Sequence, residues 1–442
     1  MPPHKKLQAP PLGGIAGICA RMSDKFGVPA ETAEQAADNI SYLTFVDPHT
    51  GLPSIAHEYL IGASGFRNGT VVQFRGVGGT GKSAFCMLEY ASANRNGTAY
   101  CGHVETEGAL MTRSRIAQFG LHPGLLAIPK GINSFEKCTE FIDTFRCMIR
   151  GGDPKGSISE AGRKSATKFK AEDAEDPDCK YPILIGVDSM SALGKDDNVH
   201  TDIADMSKTA QIGWFSVKVR EWLKQRVELY KAQNLTLFLT THETKQIDMG
   251  PAKGYGGPKK TSIAGEAIKQ YDTVALDFTA NDWKGADGSA IGKIIGLKTF
   301  KNRLVREGRR VAFYLTDEHG FDMIHTDATF LMSEFGPFKT KGYGYINSEC
   351  KRDGYWITCP AVLGDGKRTK SEEEFVRALY DKPELLADIR NAYRVCGYGL
   401  PHETTYQNEY DENHLYIGPQ PDARESSENE GFPEEDASEP EE

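Results

Sequence analysis

No apolar run in this chain approaches the ~18 residues that a membrane-spanning helix needs, so no membrane segment is expected. The opening residues, MPPHKKLQAPPLGG, hold no apolar core, so no secretory signal is expected either. Cysteine is sparse. The nine cysteines are scattered, odd in number and never spaced C-x-x-C, which argues against a disulfide framework and a zinc site. Reduced, buried thiols in a cytoplasmic protein are the expectation. The body of the chain also lacks net charge. Of a total of −10, the stretch Asp422 to Glu442 carries −9, from ten acidic residues and one Arg. Subtracting it leaves about −1 for the other 421 residues, a nearly neutral body with an acidic tail. At 442 residues the chain has room for one large domain and a smaller one.

What is present is a phosphate-binding motif in its proper setting. TVVQF, Thr70 to Phe74, reads as a buried strand. GVGGTGKS, Gly76 to Ser83, matches G-x-x-x-x-G-K-[ST] in full, and SAFCMLEYASAN continues as a helix without Gly or Pro. Glycines let successive backbone N–H groups turn inward around phosphate oxygens at the positive end of a helix. Gly76, Gly78, Gly79, Thr80, Gly81, Lys82, Ser83 and Ala84 are therefore the candidate nucleotide cradle. Lys82 is assigned to the β- and γ-phosphates and Ser83 to Mg²⁺, which makes ATP and Mg²⁺ the expected cofactors.

Three further strands end in polar residues. TAYCGHVETE, Thr98 to Glu107, ends in two glutamates; YPILIGVDSMSAL reaches Asp188; LTLFLTTHET, Leu235 to Thr244, carries Thr241 and His242 near its end. Asp188, at the end of a buried strand beside a phosphate loop, suits a second Mg²⁺-holding position. Strands alternating with helical segments such as SFEKCTEFIDTFRCMIR imply an α/β fold with a largely parallel sheet. Ligands then gather at the carboxyl ends of the strands, where Lys82, Glu107, Asp188 and His242 all fall. Glu105 lies two residues before Glu107, on the same strand face, and is the alternative candidate for the water-polarising carboxylate. His103 is read as structural.

The order of these segments resembles the RecA recombinase core, and most closely the phage UvsX-type recombinases. TGLPSIAHEYLIGASGFRNGTVVQFRG, VETEGAL, VDSMSAL, TSIAGEAIKQYDTVALDF and KTFKNRLVREGRRVAFYL are similar, in that order, to family segments over roughly residues 50 to 320. DKPELLADIRNAYRV and the acidic tail carry the similarity further. The resemblance implies that Glu107 polarises the attacking water and that His242 senses the γ-phosphate. That position is Gln in bacterial RecA and His in UvsX-type proteins. Lys301 and Arg303, read as alternating on one strand face, are implied to reach a neighbouring subunit's nucleotide. Arg115 falls, within one residue, where the family stacks an aromatic on adenine.

TKQIDMGPAKGYGGPKKTS, Thr244 to Ser262, holds four Lys against one Asp, with four Gly and two Pro. A basic loop of this kind suits single-stranded DNA, lysines neutralising phosphates and an apolar or aromatic tip meeting bases. Lys245, Met249, Lys253, Tyr255, Lys259 and Lys260 are its candidate contacts. Ala264 and Gly265 open a helix whose amides suit a phosphate. GKDDNVHTDIADMSKT, where a first DNA loop is expected, has four Asp against two Lys, a poor surface for DNA, with Met206 as the candidate inserting residue.

Ile15, Ile18, Cys19 and Met22 stand at helical spacing and pack either on their own core or on a neighbour. The expected organisation is an N-terminal assembly segment (1–49), a RecA-type core (50–325) with a solvated, mobile insertion (151–180), a small C-terminal domain (326–410) and a disordered acidic tail (411–442). The insertion has no family counterpart; its GRKSATKFK run is an alternative contact for DNA or a partner. The implied function is an ATP-dependent recombinase forming helical homo-oligomeric filaments on single-stranded DNA and exchanging strands with double-stranded DNA. A single-strand-binding protein and a loader are further partners, in the cytoplasm of an infected bacterial host if the protein is phage-encoded. The alternatives are a ring-forming helicase or translocase of the same core, which a larger N-terminal region would favour, and a nucleotide-gated DNA-binding scaffold with little turnover, which Glu107 argues against. A P-loop small-molecule kinase finds no lid or substrate pattern in the chain.

Overall fold

The computed structural model describes residues 19, 22, 40–96, 99–107, 112–152, 170–194, 214–245, 260–262, 265–285, 288–333, 351–353, 355–386, 389, 408–410 and 416–419. The chain is a mixed α/β protein built on one ten-stranded sheet, as its strand–helix alternation implies. After a short hairpin pair, β1 (Tyr42–Thr44) and β2 (Gly65–Arg67), with α1 (Ile55–Ile61) between them, the chain enters the sheet at β3 (Val71–Gly76). It continues through α2 (Lys82–Asn96), β4 (Tyr100–Glu105), α3 (Arg113–Gln118), β5 (Leu126–Ala127), α4 (Phe135–Arg150) and β6 (Ile183–Asp188). There follow α5 (Trp214–Ala232), β7 (Leu235–Lys245), β8 (Lys260–Ser262), the single turn α6 (Gly265–Ile268), β9 (Asp272–Lys284), β10 (Ala290–Asn302), β11 (Arg310–Thr316) and β12 (Gly320–Asp322).

The spatial order is β12-β11-β10-β9-β3-β7-β6-β4-β5, with β8 paired to β7. From β9 to β5 all neighbours run parallel; β10, β11 and β12 extend the sheet antiparallel beyond β9. A parallel strand is covered on both faces and reads as a continuous apolar run. β3 shows this: Val71, Val72, Gln73 and Phe74 are all buried. Phe74 stacks on Phe238 at 5.5 Å between ring centroids and meets Phe85 of α2 edge-on at 5.5 Å. α2 buries Phe85, Cys86, Met87, Leu88 and Tyr90 almost completely, so it is a core helix rather than an amphipathic one.

Several expected boundaries move. The stretch 151–180, expected as a solvated insertion, is anchored at its far end. Asp176 is buried and lies 2.5 Å from the Arg150 guanidinium at the end of α4, and it accepts the N–H groups of Lys180 and Tyr181. Its part 153–169 lies outside the described residues. The expected domain boundary at 325/326 falls inside α7 (Met323–Met332). Beyond it, β13 (Lys351–Asp353), β14 (Trp356–Thr358), α8 (Pro360–Leu363), β15 (Arg368–Thr369) and α9 (Glu372–Asp381) add Ile357, Phe375 and Leu379 to the same apolar cluster that holds Phe74 and Phe313. The start expected for the tail, 411, lies between two short antiparallel strands, Asn408–Tyr410 and Tyr416–Pro419. In the N-terminal segment, Cys19 and Met22 are helical, and Met22 is exposed; Ile15 and Ile18 lie outside the described residues.

Candidate nucleotide site at the strand ends

Strand register builds the site. Gly76, the last residue of β3, is level with His242 on β7; Glu105, the last of β4, is level with Asp188, the last of β6. The polar ends of four parallel strands therefore meet at one edge, where the phosphate loop turns into α2. The loop needs its glycines for two distinct reasons. Gly76 has φ +153° and a Cβ there would stand 2.6 Å from the carbonyl oxygen of Phe278, and Gly79 has φ +74°, which L side chains rarely adopt.

Lys82 is the first residue of α2 and its side chain folds back over the loop. Its ammonium donates to the carbonyls of Gly76 at 3.0 Å and Val77 at 2.8 Å. Burial holds it below the usual lysine range, with the Asp188 and Glu107 carboxylates pulling the other way. Thr80 closes the loop, its hydroxyl donating to the Val77 carbonyl at 2.8 Å. Ser83, next along α2, donates its hydroxyl to Asp188 Oδ2. Asp188 is buried, and its other oxygen accepts from the Thr240 hydroxyl at 2.6 Å.

Glu107 sits at the mouth, its Oε1 2.5 Å from His242 Nε2 and accepting from the Ser189 hydroxyl at 2.7 Å. Its backbone N–H bonds the Glu105 carboxylate at 2.9 Å. His242 is placed by its own N–H, which donates to Ser191 Oγ at 2.9 Å, and its ring stands 4.0 Å from where a Cβ on Gly78 would lie. The structure thus brings together Lys82, Ser83, Asp188, Glu107 and His242. The donor set suits a nucleotide and a hard cation: a buried ammonium on the glycine loop, and a hydroxyl paired with a carboxylate.

Other expected residues lie elsewhere. Arg115 is exposed on α3, its N–H bonded to Thr112 Oγ1 at 3.2 Å, and no hydrogen bond or ion pair among the described residues ties it to the loop. Lys301 is level with Ala275, and so with Gln73, back from the loop toward the amino ends of the parallel strands. Its ammonium lies 2.6 Å from Asp272 Oδ1 and donates to the Asp272 and Lys269 carbonyls. Arg303 follows the end of β10 at Asn302, and its guanidinium donates to the Gln270 carbonyl at 2.9 Å, in the same 269–272 segment that Lys301 meets.

Of the expected DNA contacts, Met206, Met249, Lys253, Tyr255, Lys259 and Ala264 lie outside the described residues. The basic loop has a stem: Lys245 and Lys260 stand opposite each other where β7 and β8 pair antiparallel, and Gly265 opens α6.

Four residues that the sequence does not single out shape the site. Lys293 of β10 donates to the Gly79 carbonyl at 3.2 Å, a second cation at the loop. Ser189 and Thr240 fix the two carboxylates. Arg75, one residue before the loop, pairs with Glu243 at 3.0 Å, one residue beyond His242, and lies 3.7 Å from the centroid of the Phe300 ring. Only the alternation of Thr240 with apolar residues along a buried strand hinted at any of them.

No family model matches the chain. It is 22% identical over 355 residues to the RecA protein of Cereibacter sphaeroides, covering 80% of this chain and 86% of that one. It is 23% identical over 343 residues to RecA of Sinorhizobium medicae, covering 77% and 78%. With RecA of Streptococcus mutans it shares 24% over 354 residues, covering 79% and 76%. The chain is thus similar to RecA proteins along most of its length, on an α/β sheet whose strand ends gather a complete phosphate loop and its acidic partners.

Proposed function

We propose that the protein is an ATP-dependent recombinase of the UvsX-type branch, which assembles as a helical filament on single-stranded DNA and pairs it with a homologous duplex. The observation that carries this reading is the Glu107–His242 contact at 2.5 Å beside the phosphate loop. It joins the residue that orients the attacking water to the residue that reads the γ-phosphate. His242 in turn leads through Glu243 into the β7–β8 stem of the basic loop, so the state of the nucleotide has a direct route to the proposed DNA contacts.

The chemistry follows from the placed groups. Lys82 and the loop amides neutralise the phosphates. Ser83 and Asp188 would hold Mg²⁺, which would supply further neutralisation of phosphate charge. Glu107 accepts a hydrogen bond from the water and aims it. Lys301 and Arg303, which in this chain bond Asp272 and the Gln270 carbonyl, are proposed to reach a neighbouring subunit's nucleotide on assembly. Double-stranded DNA is the exchange partner, and a single-strand-binding protein and a loader complete the proposed set.

Electron microscopy of the protein with single-stranded DNA and a non-hydrolysable ATP analogue tests this. Helical filaments are expected. Closed rings would replace the recombinase with a translocase of the same core. Hydrolysis that single-stranded DNA fails to stimulate would leave a nucleotide-gated scaffold.

A further inference from the structure

Beneath α2, His103 and Glu105 stand two residues apart on β4 and share a face, and Glu105 is level with Asp188 across the ladder to β6. A ring nitrogen of His103, a carboxylate oxygen of Glu105 and one of Asp188 lie within 4.8 Å of one another. His103 is 0% exposed, and its Nε2 has no hydrogen-bond partner among the described residues.

The state of that nitrogen follows from its neighbours. The Tyr90 hydroxyl donates its proton to the Gly102 carbonyl at 3.2 Å. The same oxygen lies 3.3 Å from His103 Nδ1, so it accepts there and Nδ1 carries the ring proton. Nε2 is left with a buried, unshared lone pair beside two carboxylates. Glu105 accepts the Glu107 N–H and Asp188 the Ser83 and Thr240 hydroxyls, but neither they nor the imidazole supplies a proton to one another, an arrangement that a cation resolves.

We propose that His103 Nε2, Glu105 and Asp188 form a divalent-cation site beneath the phosphate loop, one that takes a first-row transition ion of the Mn²⁺ or Zn²⁺ class in preference to Mg²⁺. Imidazole suits such ions, whereas Mg²⁺ favours oxygen ligands and keeps its waters. Tyr90 fixes the ring tautomer, as the outer partners of metal-bound histidines do. Ligand atoms at ~2.1 Å from one ion stand at most about 4.2 Å apart, so the donors close by about half an ångström, within reach of the flexible Glu105. Ser83 and Thr240 each occupy one lone pair on the Asp188 oxygens, and each oxygen keeps a second. The site needs no nucleotide, and it shares Asp188 with the Mg²⁺ position of the proposed function.

The test uses the full chain without nucleotide. Mn²⁺ binding is followed by electron paramagnetic resonance in a large excess of Mg²⁺, which fills weak carboxylate sites, the acidic tail included. One retained Mn²⁺ is expected. H103F and E105Q should each weaken it at least about tenfold, the lower end for loss of even an outer partner. Zn²⁺ should shift the His103 Nε2 resonance in ¹⁵N spectra of the wild type. Wild-type Mn²⁺ affinity in H103F or in E105Q, or an unmoved Nε2 resonance, overturns the site. Should H103F unfold, E105Q and the wild-type resonance decide alone. Lys82→Ala, which removes nucleotide binding under the proposed function, retains the Mn²⁺ site, so the two readings fail separately.

Discussion

Lys82 is the residue on which nucleotide binding turns. Its ammonium is buried and has loop carbonyls as its close partners, so Lys82→Ala removes the cation that faces the phosphates. Loss of nucleotide binding is expected, measured by fluorescence titration of a labelled ATP analogue. Glu107→Gln should bind ATP and assemble on DNA, because the amide still accepts the Ser189 hydroxyl, while turnover falls about 10²–10⁴-fold. Near-normal hydrolysis in Glu107→Gln with loss in Glu105→Gln would move the catalytic role to Glu105. Away from the site, Asp327 is buried at the start of α1, where Ser54 and the Ala56 N–H bond one of its oxygens, and burial raises its pKa to about 7. A carboxyl raised in the folded state binds its proton more tightly there than in the unfolded chain. Its stabilising contribution is therefore full below about pH 4 and is lost as pH rises toward 7, at about 1.4 kcal/mol per unit. Asp327→Asn should remove that slope from urea midpoints taken between these pH values. A slope equal to the wild type's would show that the carboxyl is ionised throughout.

At the scale of elements, the antiparallel edge of the sheet is joined to the parallel half by polar clamps as well as by its ladder. Lys301 at the end of β10 holds Asp272 at the start of β9, whose carboxylate is fully buried and whose pKa burial raises. Breaking a buried pair strands the remaining charge. Lys301→Ala should cost about 3 kcal/mol at neutral pH. The deficit should shrink as pH falls and Asp272 takes up a proton. Adding Asp272→Asn should restore most of the loss, and denaturant unfolding of the single and double variants measures it. Arg303, exposed, is the cleaner probe of the subunit interface. Arg303→Ala should fold normally and lose DNA-stimulated hydrolysis, and unchanged stimulation would end the proposed role across subunits. The elements themselves were largely readable. TVVQF, YPILIGVD and LTLFLT are strands because long apolar, β-branched runs cannot stay in water. Their pairing order was not readable, since nothing in the sequence of β3 says that β7 and β9 flank it.

For the whole molecule, charge is divided between a nearly neutral body and a tail of net −9 from Asp422 to Glu442. The basic stretch Thr244 to Ser262 carries net +3, from four Lys and one Asp. A tethered acidic segment competes with DNA at an effective concentration of roughly millimolar for a short flexible linker. Exposed charges are screened beyond ~10 Å at 0.1 M salt. Truncation after Pro421 should therefore tighten binding of a labelled single-stranded oligonucleotide at low salt and low Mg²⁺, and matter less as either rises. Anisotropy titrations of both forms across that series measure it. Superimposable curves would reduce the tail to a solubilising role.

The sequence by itself determined the phosphate loop, because phosphate is held by consecutive backbone amides and the next two side chains, all contiguous in the chain. It also determined which strands carry Glu107, Asp188 and His242 at or near their carboxyl ends, although β4 stops at Glu105 and β7 runs on to Lys245. The tertiary structure decided what depends on register between distant segments. Ser83 meets Asp188 across 105 positions of sequence, and Glu107 meets His242 across 135. Lys293 of β10, two strands from β3, meets the Gly79 carbonyl across 214 positions. His103, unremarkable in the sequence, becomes a buried base without a partner because Tyr90 of α2 takes one side of its ring. Position 325/326 falls inside α7 for the same reason: the apolar residues of α7 and α9 join a core that the sheet begins, and only the packed chain shows whose core they fill.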